Sequence, residues 1–497
     1  MSEEAVASST PQDVHSFEQT LQPIPEEARN RDIGAQFWIW AGANIAPINW
    51  VLGALGVNLG LGLMDTVLVL AVGNFIGMSM FGFFVLLGQR TGVTGMVLAR
   101  APFGRRGAYL PAGIQAILSI GWSAVNTWII LDLVMALFGQ LGWVDANKPN
   151  YAARITVAAI IMAIQVAISW LGYRAIALFE KWTVPPTLLI LIFMSVAAWF
   201  FMDLNWGYQG PPGKELHGAE RWAAMTAVMT AIGIGWGITW FTYAADYSRF
   251  VSRSVKPFKL YFWSGAGQFI PVVWLGLLGA SLATTNGKVD PGQLIVENYG
   301  SLAIPVLALV IHGPIATNIL NIYTFSVATQ ALDISIPRRA LSVIVGVFSL
   351  IVVIFFIFQK DFAAILDTWL VTLVAWVATW GGIMLVHYYY FERHRTDVTY
   401  LFDPPGTTRL PALNWAGYVA FFVGMFATWL FMYGLIPIAQ GPFAVAMGGV
   451  DLSWLAGIVT AAVLYFFLAP YALKGYADMN EHRAGRTPAP DTTDHAA

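Results

Sequence analysis

The chain contains no cysteine. Disulfides, thiolate metal sites and cysteine nucleophiles are therefore excluded, and cysteine usage leaves the redox compartment open. Charge is scarce too: Asp, Glu, Lys and Arg make up 11% of 497 residues, against roughly 25% in a soluble domain. With 57% hydrophobic and 14% aromatic residues, such a chain reads as an integral membrane protein. A net charge of -2 offers no basic surface for nucleic acid, and no stretch calls for a protein partner. There is no HExxH metal motif, phosphate loop or nucleophile elbow, so nothing points to an enzyme or to an organic cofactor. Residues 1–33 lack the basic start and short apolar core of a signal peptide. They read as a cytoplasmic tail, with residues 475–497 as its counterpart.

What is present is a series of apolar runs long enough to cross a hydrocarbon core as helices. Twelve spans fall at about 35–58, 62–88, 107–139, 152–174, 182–203, 222–247, 258–283, 301–332, 340–358, 362–391, 413–435 and 449–474. The expected fold is therefore all-α with 12 transmembrane helices, and not a barrel of short alternating strands. Of the 26 Lys and Arg residues, six (Lys148, Arg154, Lys214, Arg221, Lys288 and Lys360) fall on the external side and 20 on the cytoplasmic side when the N-terminus is inside. That bias puts both termini in the cytoplasm.

Span 1 carries the most informative stretch, where Gly42, Asn44, Pro47 and Asn49 interrupt an apolar helix at mid-length. Proline has no N–H and clashes with the carbonyl one turn earlier, so the helix is expected to break. Bare carbonyls at membrane depth are tolerated only where protein, water, an ion or a ligand satisfies them. A proline kink with glycines for close packing is the plainer reading of the same residues. Span 6 carries a second interruption, IGIGWGITW from Ile232 to Trp240. A shift of about 190 residues maps spans 1–5 onto spans 6–10, and an odd number of spans per half makes the repeat inverted. The short segment after span 6 and the placement of the breaks favour five plus five helices over six plus six. The expected divisions are 34–203 and 204–391 for the two repeats and 392–474 for two accessory helices.

Several polar residues share helical faces inside these spans. Ser119, Trp122 and Asn126 are spaced i, i+3, i+7 on span 3, so an indole surface lies one turn from an amide that both donates and accepts. The plainer reading is an interfacial Trp and a packing Asn. On span 8, Gly313 and Pro314 precede Thr317, Asn318 and Asn321, whose amides need a cavity or another helix to face. The Thr317 hydroxyl with carbonyls of span 1 would make hard oxygen ligands for a small cation. Histidine is the side chain most suited to proton exchange near neutral pH, so His312 is a candidate for proton coupling instead, or is simply hydrogen-bonded. Asp246 and Arg249, i and i+3 at the cytoplasmic end of span 6, form a structural or gating pair.

In combination, GANIAPINWVLGALG, the segment Arg90 to Pro111, the WSAVN face, Tyr173 to Pro185, AADYSRF and ATNILN resemble the nucleobase:cation symporter-1 family, and within it the purine-cytosine permease branch. The resemblance covers about residues 30–470. It implies a LeuT-type fold, with broken helices 1 and 6 and substrate held between spans 1, 3, 6 and 8. By position it makes Trp122 the stacking indole and Asn126 its polar partner. It assigns substrate contacts to Gly235 and Trp236, with Trp240 an alternative second indole, to Asn318 and Asn321, and to the Ala46 region of the break. Glu180 falls on a glutamate used by fungal purine permeases, although its place at the cytoplasmic start of span 5 argues for a coupling or gating role. The family's sodium site implies the carbonyls of Gly42 and Ile45 or Ala46, with Gly313, Ala316 and Thr317. Alanine at 316 removes one expected hydroxyl, which leaves Na+ and H+ both open as coupling ion.

The expected function is a secondary transporter of the cell membrane that imports cytosine, a purine or a similar planar heterocycle by cation symport. Allantoin, hydantoin or a vitamin of the thiamine or pyridoxine type is the alternative cargo. A non-transporting receptor or scaffold on the same fold is the alternative of another class.

Overall fold

The computed structural model describes residues 21–145, 150–171, 173–287, 290–359, 362–393, 397–403 and 410–473, the side chains at 173–181, 183–184, 312, 316 and 362–363 excepted. Every expected span corresponds to helix. Among the described residues nine helices are long and apolar enough to cross a membrane, and Pro185–Phe201 and Trp415–Leu430 are shorter apolar ones. Span 1 is two helices, Ile33–Asn44 and Pro47–Asn58, the first capped by the Asp32 side chain. One boundary differs from expectation. Spans 4 and 5 are the helices Tyr151–Leu171 and Tyr173–Phe201, so the expected loop between them is helical almost throughout.

The break in span 1 falls at Ile45 and Ala46. Pro47 excludes the helical conformation from the residue before it, and Ala46 is accordingly extended at φ −144°, ψ 151°, with Pro47 opening the next helix. Span 6, Gly218–Ser248, has an interruption of another kind. Hydrogen bonding widens to a π pattern over Met229–Ile234 and lapses again at Trp240, while the backbone stays right-handed throughout. No proline lies in this span, so nothing forces an extended residue. Its glycines instead permit close approach: a Cβ on Gly233 or Gly237 would come within 2.6–2.7 Å of backbone atoms of span 2, the helix Leu63–Thr91. The same device joins span 1 to span 7, Pro257–Ala283, where a Cβ on Gly53 would lie 1.8 Å from the Gly276 carbonyl. Span 8, His312–Ala331, follows a short helix, Ala303–Val310. Helical regularity lapses at Ile311, one turn ahead of Pro314, whose missing N–H leaves the Val310 carbonyl without its usual donor.

Packing has the symmetry that two inverted five-helix units require. Span 2 packs on span 7, span 3 on span 8 and span 4 on span 9; span 1 packs on span 7 as span 6 does on span 2. The last two spans pack on each other and on span 10.

Asp333 follows span 8 in the left-handed region at φ 59°. Its carboxylate accepts from Arg105 at 2.7 Å and Arg100 at 3.0 Å, and from the Tyr109 hydroxyl. Burial alone would raise its pKa, but hydrogen bonds from Arg105 and Tyr109 and the two guanidinium charges outweigh that and hold it below the ordinary carboxylate value. A carboxylate whose folded pKa is depressed stabilises the fold above its unfolded pKa, about 3.9, and loses that contribution as pH falls through the folded value. Asp333→Asn is therefore expected to lower the unfolding temperature in detergent at pH 7, with the gap to wild type closing below about pH 4; thermal scans at several pH values check this.

Candidate functional site

The break in span 1 opens onto a cavity with about 300 Å³ of empty space, lined by Ile48, Trp122, Asn126, Trp236, Thr239, Trp240, Tyr243, Thr317 and Asn321. Four helices contribute, three of them through residues one or two turns apart on one face. Span 3 supplies Trp122 and Asn126, and span 8 supplies Thr317 and Asn321. Span 6 supplies Trp236, Thr239, Trp240 and Tyr243, and Ile48 comes from the second half of span 1.

The indoles meet edge to face. Trp122 and Trp236 have centroids 5.5 Å apart at 87°, and Trp236 and Trp240 are 6.2 Å apart at 81°. Trp369 of span 10 packs on Trp122 in the same manner at 6.0 Å. Trp122 and Trp236 thus touch at right angles, and do not stand as parallel plates with a slot between them. The Trp236 N–H is committed to Asn44 Oδ1 at 3.1 Å. The Trp240 N–H is buried and has no partner among the described residues.

Of the paired amides on span 8, Asn321 lines the cavity and Asn318 does not. Asn318 sits behind it, its Nδ2 at 3.1 Å from the Ser123 carbonyl, Thr127 Oγ1 and Gln165 Oε1, while its Oδ1 accepts from Asn321 Nδ2 at 3.2 Å. The Tyr243 hydroxyl donates to Asn321 Oδ1 at 3.3 Å. Two other expected contacts lie off the cavity wall. The Ser119 hydroxyl donates to the Gln115 carbonyl at 3.0 Å. Gly235 is pressed against the Thr230 carbonyl, where a Cβ would sit at 1.9 Å, and against Val374. Ala46 is the fully buried, extended residue of the break itself.

The expected cation ligands converge in part. Thr317 Oγ1 lies 3.4 Å from the Ala43 carbonyl, long for a hydroxyl donor. A Cβ on Gly313 would be 3.3 Å from the Ile45 carbonyl, so the start of span 8 faces the break. A Cβ on Gly42 would meet nothing within 4 Å. Among the described residues no group of three or more His, Asp or Glu side chains could hold a metal ion. The ligands on offer there are neutral oxygens. The side chains of His312, Ala316 and Glu180 lie outside the described residues. Asp246 and Arg249 are buried; Asp246 Oδ1 accepts from the Gly95 amide at 3.0 Å and feels the Arg249 charge, and Arg249 Nη2 donates to the Tyr323 hydroxyl at 3.0 Å.

The sequence reading did not select Thr239, Tyr243 or Gln165. The first two lie i+3 and i+7 from Trp236, the same spacing that singled out Trp122 and Asn126, so the signal was present on span 6. Gln165 had none, because its value depends on what span 4 packs against.

Comparison with known proteins places the chain in a family. The family profile described as permease for cytosine/purines, uracil, thiamine, allantoin matches residues 23–457. YxlA, a candidate purine-cytosine permease of Bacillus subtilis, is 26% identical over 473 residues, covering 93% of this chain and 98% of its own. The purine-cytosine permease FCY2 of Saccharomyces cerevisiae is 25% identical over 477 residues, covering 91% and 86%. In fold, the chain is similar to Mhp1, a nucleobase-cation-symport-1 family transporter crystallised closed with bromovinylhydantoin bound, at TM-score 0.71 and 18% identity over 93% of this chain and 98% of that one. A helix broken by proline, an aromatic cavity at the break and a family match over most of its length lead to one conclusion: the chain belongs to the family of membrane permeases for cytosine/purines, uracil, thiamine and allantoin, and is a transporter and not an enzyme.

Proposed function

We propose that this permease imports a nucleobase, cytosine or a purine, across the cell membrane in symport with Na+ or H+. The single observation that carries the reading is that a small cavity walled by three indoles and two amides opens at the proline-forced break of span 1. Flat rings gain about 1–3 kcal/mol by stacking on an aromatic face, and amides satisfy ring N–H and C=O groups. Trp122 and Trp240 both stand nearly perpendicular to Trp236, so we take them as side walls and Trp236 as the back. Purine-cytosine permeases of yeast support the cargo class. The bromovinylhydantoin bound by Mhp1 favours a second reading, a hydantoin or allantoin.

Coupling follows from the neutral oxygens beside the cavity. A cation held by the Ile45 region, Gly313 and Thr317 would join the broken end of span 1 to span 8, two walls of the cavity. It would therefore favour the state in which both are set for cargo, since a ligand shifts a conformational equilibrium only through its differential affinity. Hydroxyl and carbonyl ligands suit Na+. The missing hydroxyl at Ala316 favours H+. Alternating access then moves the 34–203 and 204–391 repeats about this site, with 392–474 as accessory helices and both termini in the cytoplasm.

Uptake of labelled cytosine, adenine, hypoxanthine and allantoin into proteoliposomes, under separate sodium and pH gradients, tests cargo and ion together. Trp122→Ala is expected to weaken cargo binding by roughly 5- to 150-fold, and unaltered binding would refute the stacking role. Thr317→Ala is expected to raise the sodium concentration for half-maximal uptake; an unchanged ion response removes it as a ligand. Because the chain has no cysteine, single cysteines report topology directly. Lys214→Cys is expected to react with an impermeant maleimide from outside intact cells and Arg253→Cys only after permeabilisation, and the reverse pattern would invert the orientation.

A further inference from the structure

The hydrogen-bond direction of the cavity wall follows from one fixed point. The Ser123 carbonyl can only accept, so the Asn318 atom 3.1 Å from it is its amide nitrogen. Asn318 Oδ1 is thereby turned to Asn321 and accepts from its Nδ2. Asn321 Oδ1 is left facing the Tyr243 hydroxyl, so the phenol proton is spent on that oxygen. An orientation that is a free choice on an isolated amide is forced here through two residues in succession. Tyr243 consequently shows the cavity lone pairs only.

A second, separate constraint acts on span 3. Asn126 Nδ2 donates to the Trp122 carbonyl at 3.1 Å, and its Oδ1 has no partner among the described residues. Thr239 has likewise given its proton to the Trp236 carbonyl at 2.7 Å. Three lining oxygens therefore accept, beside the unpartnered Trp240 N–H. Ser119 and the Gln115 amide also flank the Tyr243 hydroxyl; the Ser119 proton is already given to the Gln115 carbonyl, so of the two only the Gln115 amide competes for the phenol's lone pairs, and a phenol oxygen carries two.

Resting on the reading that this cavity holds a planar base, we propose that Tyr243 and Asn126 make it a reader of amino groups. It binds a ring bearing an exocyclic NH2 more tightly than the same ring bearing a carbonyl there. Gln165 and Asn318 are positioning residues that hold Asn321, and through it Tyr243, in the accepting orientation. A cargo carbonyl set against these oxygens would leave buried acceptors facing each other with no proton between them, whereas an amino group supplies two.

The test is calorimetric binding of two matched pairs, adenine with hypoxanthine and cytosine with uracil, to the full chain in lipid nanodiscs. Wild type is expected to favour the amino member of each pair by about tenfold or more. Tyr243→Phe is expected to lose most of that ratio, with the oxo member's affinity nearly unchanged. Gln165→Leu, which keeps the phenol but loosens Asn318, is expected to reduce the ratio as well; it decides the matter if the tyrosine variant does not fold. Wild-type preference for the oxo members, or equal weakening of both members in the variants, overturns this inference and leaves nucleobase transport standing. Binding of neither pair alongside uptake of another cargo overturns both.

Discussion

Where span 1 stops being helical, its last carbonyls lose the amides that would have bonded them, in a medium that supplies no water in their place. Each such group left alone costs several kcal/mol. The protein answers with side chains. Asn49 Nδ2 reaches the Asn44 carbonyl at 2.5 Å, and Thr317 faces the Ala43 carbonyl from span 8 at 3.4 Å, while Asn44 Nδ2 is anchored one turn back on the Trp40 carbonyl at 2.9 Å. Asn44 then uses its remaining oxygen to hold the Trp236 indole. Satisfying the break thus fastens spans 1, 6 and 8 together, and the cavity is the space enclosed by that fastening.

The two matched interruptions solve different problems. Proline in span 1 forces an extended residue and exposes backbone. The π turn in span 6 keeps the helix continuous and shifts its register by a residue, a feature often found at functional sites. Its Thr230 donates to Asp451 Oδ1 at 2.9 Å, and Asp451 also accepts from the Tyr433 and Ser453 amides. The loop before the last span is therefore tied to the turn that leads into Trp236, so the accessory helices brace a wall of the site.

Aromatic surface and hydrogen-bond direction divide the work of recognition. Indole faces attract any flat ring with little regard for its edge. The edge is read by atoms whose protons are already committed, and commitment begins at a backbone carbonyl that cannot reverse. This explains why a scaffold residue on span 4, Gln165, matters to a site that it does not line.

Much of this was legible without coordinates. Scarce charge and long apolar runs determined the membrane class and the helices, because hydrocarbon tolerates no other backbone. The first break was local as well: Pro47 lacks an N–H and restricts the conformation of Ala46 regardless of what surrounds them. Spacing also identified the face of span 3 that carries Trp122 and Asn126. What the tertiary structure alone decided was which faces meet. Asn318 and Asn321 are one turn apart and chemically alike, yet one lines the cavity and the other stands behind it. That difference is set by the rotation of span 8 against spans 3 and 4, a property of packed helices that neither residue carries by itself.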